Sequence, residues 1–318
     1  MSGGVQTIVN TRQAPGVIGQ WASTNPRSSY VAGPGGLVAG AAGVTVGNFA
    51  WVSYQAIDYD NAPTVVNSFG AGPVSGFVDN MQQALITNYL ADSVLLIPTG
   101  FGVTLMTSGD YWCLNNGSTY VRPGTQCYAL LSSGAPYFFT SAPTPASGSA
   151  SSVAAETFSV TGSVFGNVMT VTAVGSGTVY PGATISGTGV TTGSMVMQQL
   201  SGTTGGVGTY ALNTGEMTVA SGTTISGTYG LLTVGGTVVS GFEVGSLLSG
   251  TGVQAGTYVT ALGTGTGGAG TYVVNNNTVV SSTAISGTQY VATNFYAWSG
   301  AGAGEIIKIG TAAGYVGF

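Results

Sequence analysis

Asp58 and Asp60, in the segment AIDYDNAP, are the closest pair of acids in this 318-residue chain that could share acid and base roles across a cleft, as glycosidases do. Spaced i and i+2 they would point the same way along a strand, but with Pro63 just beyond them the segment reads better as a solvated turn. Their oxygens could also enter a calcium site, yet the Gly and distal Glu of an EF-hand loop are missing. The chain has no histidine, which removes Ser-His-Asp and Cys-His nucleophiles, HExxH metal sites and the commonest general base. Gly-rich runs such as GTGTGGAG (263–270) precede neither a helix nor a Lys-Ser/Thr pair, so they read as turns and not as phosphate cradles. Cys113 and Cys127 fit neither a zinc nor a CxxC spacing and are expected to be reduced, partly buried thiols. Trp21, Trp51, Trp112 and Trp298, with 16 tyrosines, could form a sugar platform, but core filling is the better reading. No catalytic residue, cofactor or metal is expected.

The composition narrows the partners. Only 4% of the residues are charged, against about 25% in an ordinary domain. The surface must therefore consist of Thr, Ser, Asn, Gln and backbone, and much of it is expected to be covered in an assembly. Arg12, Arg27, Arg122 and Lys308 are too few and too scattered to neutralise phosphates, so nucleic acid is not an expected partner. No apolar run is long enough for a transmembrane helix, and the start MSGGVQTIVNTRQAPG lacks a basic stretch followed by an apolar one. No membrane partner is expected, and synthesis in the cytoplasm is.

The elements that must position these residues are strands. Residues 1–30 read as an extended arm that needs a neighbour to hold it. Val44–Val46 and Phe49–Val52 around Gly47-Asn48 carry a hairpin signature. Residues 77–92 could be a helix capped by Asp79, or a strand. Residues 101–140 alternate β-prone runs with turns, as in an antiparallel meander. A Pro/Ser/Ala linker follows, and then a repeat: SGTGV begins at 186 and again at 249, a period of 63 residues, and GGVGTYALN at 205–213 is answered by GGAGTYVVN at 267–275. Beyond ISGT at 285–288 the aromatic texture of the first part returns. The expected fold is all-β: a discontinuous β-barrel or sandwich core (31–141 plus 289–318), an N-terminal arm (1–30), a linker (142–155) and an inserted domain of two tandem small β units (156–288).

Three collinear blocks carry a resemblance. NTRQAPGVIGQWASTNPRSSYVAGPGGLVAGAAGVTVGNFAWV (10–52), QQALITNYLADSVLLIPTGFGVTLMTSGDYWCLNNGSTYVRPGTQCYA (82–129) and NFYAWSGAGAGEIIKIG (294–310) resemble the structural cement proteins of tailed bacteriophages. The resemblance implies a non-enzymatic virion protein on the outer capsid surface that binds the major capsid protein and bridges capsomers as a homotrimer, without cofactors. The arm is then expected to lie over the capsid protein, with Trp21, Asn25 and Arg27 as contact residues. The insertion departs from the compact family pattern and would project outward. The alternative is a tail-fibre or receptor-binding adhesin whose residues 156–288 contact host glycans through Tyr210, Tyr258 or Tyr272.

Overall fold

The structure, a computed structural model, describes residues 16–33, 35–40, 42–53, 64–81, 95–213 and 217–311. Among them every regular element is a strand. Branched and aromatic side chains suit a pleated surface, and glycine at the breaks admits the positive φ of tight turns. In chain order the strands begin with β1 (Ser28–Ser29), β2 (Leu37–Ala39), β3 (Val44–Thr45), β4 (Phe49–Ser53), β5 (Thr64–Asn67), β6 (Gly76–Val78), β7 (Leu96–Ile97) and β8 (Leu105–Ser108). They continue as β9 (Asp110–Leu114), β10 (Gln126–Leu130), β11 (Pro136–Phe139), β12 (Ala146–Gly166), β13 (Val168–Ser176), β14 (Thr184–Gly187), β15 (Val196–Gly202) and β16 (Gly208–Leu212). The last eight are β17 (Met217–Val234), β18 (Val238–Val239), β19 (Leu247–Gly250), β20 (Val259–Leu262), β21 (Gly270–Val274), β22 (Val280–Thr288), β23 (Tyr290–Ala297) and β24 (Ile306–Thr311).

One sheet has the order β1-β8-β6-β4-β5-β2, and a bridge between Val38 and Gly102 ties β2 to the segment leading into β8, so this sheet curls back on itself. A second has the order β11-β10-β23-β24-β9. Phe49, Phe77, Tyr111 and Phe295, all fully enclosed, fill the space between them, with the Phe77 ring 5.5 Å from Phe49 and 5.1 Å from Tyr111. Each such side chain contributes about 1.5–3 kcal/mol by leaving water. β23 and β24, from the end of the chain, lie between β10 and β9, with Tyr128 opposite Ala292 and Trp112 opposite Lys308.

Several local expectations are corrected. Gly47 does make a turn, with φ of 84°, but β3 pairs with β7 while β4 pairs with β5 and β6, so no hairpin forms there. The turn hands the chain from one sheet to another. Likewise β8 and β9 join different sheets, and only β10 and β11 pair as meander neighbours, because the returning β23 and β24 take the place between β9 and β10. Phe77 and Val78 belong to a strand and not to a helix, and residues 82–92 lie outside the described residues. The Pro/Ser/Ala stretch runs as strand from Ala146 onward, where small residues let β18 and β22 approach and Ser151 is fully enclosed.

The 21 residues of β12 pair with β13, β17, β18 and β22 and so run through both repeat copies. The copies pair alike. Met169 stands opposite Tyr210 and Leu232 opposite Tyr272; Ser186 stands opposite Ser226 and Ser249 opposite Ser286. The Tyr210 hydroxyl donates to Gly206 O at 2.7 Å, and the Tyr272 hydroxyl to Gly268 O at 2.8 Å. The second copy rests on the first part of the fold: Ser132 Oγ donates to Glu243 Oε2 at 2.7 Å, and Gly245 lies so near the carbonyls of Leu131 and Gly70 that a Cβ would stand 2.7 and 3.0 Å from them. No stalk separates the repeats from the core.

Candidate functional site

The segment carrying Trp21, Asn25 and Arg27 is held by its own chain. Gly19 N donates to Trp112 O, Trp112 N to Gln20 O and Ala22 N to Asp110 O, at 2.7, 3.0 and 2.9 Å, so residues 19–22 cover the free edge of β9. A few residues on, β1 covers the edge of β8. One short stretch thus closes an edge on each of the two sheets, which blunts both as templates for strand addition. The expected need for a neighbour is met, over these residues, from within.

Its side chains are fixed by two buried carboxylates. The Trp21 indole N–H donates to Asp79 Oδ2 at 3.0 Å, and the Arg27 guanidinium lies over the same ring. The ring remains 48% exposed, so the pair is a cation–π contact worth about 0.5–1 kcal/mol that still faces outward. Asn25 is exposed like its neighbours, and its Nδ2 donates to Asp110 Oδ2 at 2.7 Å, an oxygen that also accepts from Ser23 Oγ. All three residues are exposed; Trp21 and Arg27 pack on each other, while the amide of Asn25 also ties the stretch to the fold.

Asp79 is almost completely enclosed, and among the described residues its Oδ1 has no hydrogen-bond partner. Burial pushes its carboxyl above the usual carboxylate value, against the Trp21 bond, the Asn80 amide and the Arg27 charge, which pull it down. Beside it lies an open recess of about 390 Å³ lined by Gln20, Trp21, Asp79, Asn80 and Met81. In the sequence Asp79 reads only as a helix cap, and Asp110 belongs to no motif. The available signal was a carboxylate set into the apolar runs GFVD and DYWC of a chain with so few charges.

The other candidates separate. Asp58 and Asp60 lie outside the described residues. Cys113 and Cys127 are unpaired and buried, and burial raises both thiols. Trp51 is enclosed, its indole N–H donating to Gly72 O at 3.0 Å, whereas Trp21 is half exposed. Tyr210 and Tyr272 are fully enclosed and so offer no face to a glycan, and Tyr258 is partly buried. The GTGTGGAG run is the β20–β21 connection, where Gly267 N donates to the Tyr272 hydroxyl. Among the described residues no group of acids and cysteines could hold a metal, and no helix is long and apolar enough to cross a membrane.

Residues 5–199 match the family model described as structural cement protein (E217 gp24/Pam3 gp6). The chain belongs to this phage cement protein family. No curated protein matches the chain. This cement protein is accordingly a structural component of the phage virion that associates with the capsid and stabilises it. The matched span takes in the Trp21 to Arg27 stretch, both carboxylates that fix it, and the first repeat copy as far as β15.

Proposed function

We propose that this cement protein sits on the outer face of the shell and bridges neighbouring capsomers as a homotrimer, with Trp21 and Arg27 among its contacts to the major capsid protein. The observation that carries this reading is the outward Trp21–Arg27 pair on a surface otherwise almost without charge. Trp and Arg are the side chains that most often anchor interfaces, and a fixed pair loses little freedom on docking. Asn25 acts one step back, holding the stretch against Asp110. The division of labour follows the division of the chain: residues 31–141 with 289–318 form the capsid-binding core, and residues 156–288 form an inserted module of two β units. No catalytic role is assigned.

With few charges to screen, attachment rests on buried area and backbone pairing, so it depends weakly on salt. Bare capsids mixed with the protein should be decorated almost equally at low and moderate ionic strength. A steep loss of decoration with salt would overturn the reading. Sedimentation of the free protein checks the trimer, and a cryo-electron reconstruction of the decorated particle checks its place on the shell.

A further inference from the structure

The two repeat copies use the same face differently. Bridges place Met195 opposite Thr184 and Tyr258 opposite Leu247, which makes β15 and β20 equivalent and Met197 and Gln198 the counterparts of Thr260 and Ala261. In the second copy this face is closed by packing: the Thr260 methyl occupies the place a side chain at Gly182 would take, and Ala261 packs against the apolar core of the first copy. In the first copy the same face looks toward β2 and β5 of the core and is not filled by any described residue. A cavity of about 240 Å³ lies there, between Val38, Val65 and Gly100 on one side and Val168, Met197 and Ala211 on the other. That exceeds the roughly 150 Å³ that suffices to take up a benzene molecule in an engineered apolar cavity.

Much of the rim is apolar too. Phe165, Val168, Ala211 and Gln198 form one cross-strand row, at the end of which Phe165 is 83% exposed. Leu200, two residues beyond Gln198, and Phe101, beside Gly100, are each 46% exposed. Asn67, Thr99, Asn167 and Gln198 add polar groups to the lining, but none of the described lining residues is charged; β15 is the last strand of its sheet, bonded to Gly182 and Ala183 at Val196 where it begins. Exposed apolar residues gathered around a mainly apolar cavity mark a contact surface. Its complement is an uncharged extended segment that can lie along β15 and insert one large side chain.

We propose that the cavity between the first repeat copy and the core seats an apolar side chain of the capsid protein, so that the inserted module takes part in attachment. This rests on the capsid-binding reading given above and adds a second contact to it, distinct from Trp21 and Arg27.

Phe165→Asp and Leu200→Lys alter exposed rim residues, and Ala211→Leu fills the cavity from within. All three should leave the melting temperature of the free protein near that of the wild type and weaken decoration of bare capsids by about tenfold or more, the scale of an interface anchor. A photo-crosslinking amino acid at position 165 should capture capsid protein. Wild-type decoration by all three variants overturns the proposal while leaving the capsid-binding reading intact, as does capture of a second copy of this chain. A wild-type protein that leaves bare capsids undecorated overturns both.

Discussion

Trp21 and Asp79, 58 positions apart in the chain, are joined by an indole N–H to carboxylate bond of 3.0 Å that fixes the N-terminal stretch to the end of β6. The carboxylate is enclosed, its other oxygen has no partner among the described residues, and the ring it holds is the one over which Arg27 lies. One buried charge therefore orients an outward contact pair, at a cost to the fold that pH should reveal.

Asp79 titrates above its ordinary value of 3.8 chiefly because burial disfavours the charged form. The neutral carboxyl is the form the fold accommodates better, so its contribution to stability is fully present below the ordinary carboxylate pKa and is lost as pH rises through the raised one. Asp79→Asn keeps an oxygen for Trp21 and cannot ionise. Melts of variant and wild type should lie closest in acid and diverge toward neutral pH, with the variant the more stable there. The opposite trend would show that the charged form is the better held.

Trp21→Phe removes the donor and leaves the enclosed carboxylate without its side-chain partner, which should cost about 1–3 kcal/mol. Arg27→Ala removes only an exposed cation–π contact and should cost less, about 0.5–1 kcal/mol. Denaturant midpoints give the order of the two, and capsid decoration should suffer in both.

The repeats allow a matched comparison. The Tyr210 hydroxyl donates to Gly206 O, whereas the Tyr272 hydroxyl donates to Gly268 O and also accepts from Gly267 N. Tyr210→Phe should cost about 1 kcal/mol and Tyr272→Phe more, since it leaves a donor as well as an acceptor unmatched. Thermal unfolding of the two variants side by side measures the difference.

Cys113 and Cys127 are fully enclosed, and burial keeps both protonated well above the ordinary thiol value of 9.0. A thiol-specific reagent at mildly alkaline pH should label neither in the folded protein and both after denaturation. Rapid labelling of the native state would show that the space between the two sheets opens.

Gly134 has φ of 70°, and a Cβ there would stand 1.8 Å from the carbonyl oxygen of Phe49. Gly134 O in turn accepts from Phe49 N at 2.8 Å. Gly134→Ala should destabilise by about 2 kcal/mol or more, from the left-handed backbone and the displaced strand together. A melt indistinguishable from that of the wild type would show that this junction yields.

Much of the architecture is local and therefore legible. Runs such as QCYAL and PYFF, bounded by Gly or Pro turns, became strands, because alternating branched and aromatic side chains favour a pleat wherever they lie. The repeat is visible because SGTGV and GGxGTY recur, whereas the burial of its tyrosines, offered above only as glycan contacts of the alternative, shows in the structure. Partner choice was not legible. Val44–Val46 and Phe49–Val52 look like two arms of a hairpin, yet their pairing depends on Leu96, Val66 and Phe77, which are distant in sequence.

The amino-acid sequence alone determined that this protein is all-β, poor in charge, without histidine chemistry and similar to phage cement proteins, since composition, turn residues and collinear motifs are properties of the chain itself. The tertiary structure decided that Trp21 is tied to Asp79 and Asn25 to Asp110, and that one repeat face is filled while the described residues leave its counterpart open. Trp21 was named from sequence as a contact residue, but the reason it can be one is a carboxylate 58 residues away. Burial and hydrogen bonding between such distant positions exist only once the sheets have closed, because they depend on which strands become neighbours and not on what any one strand contains.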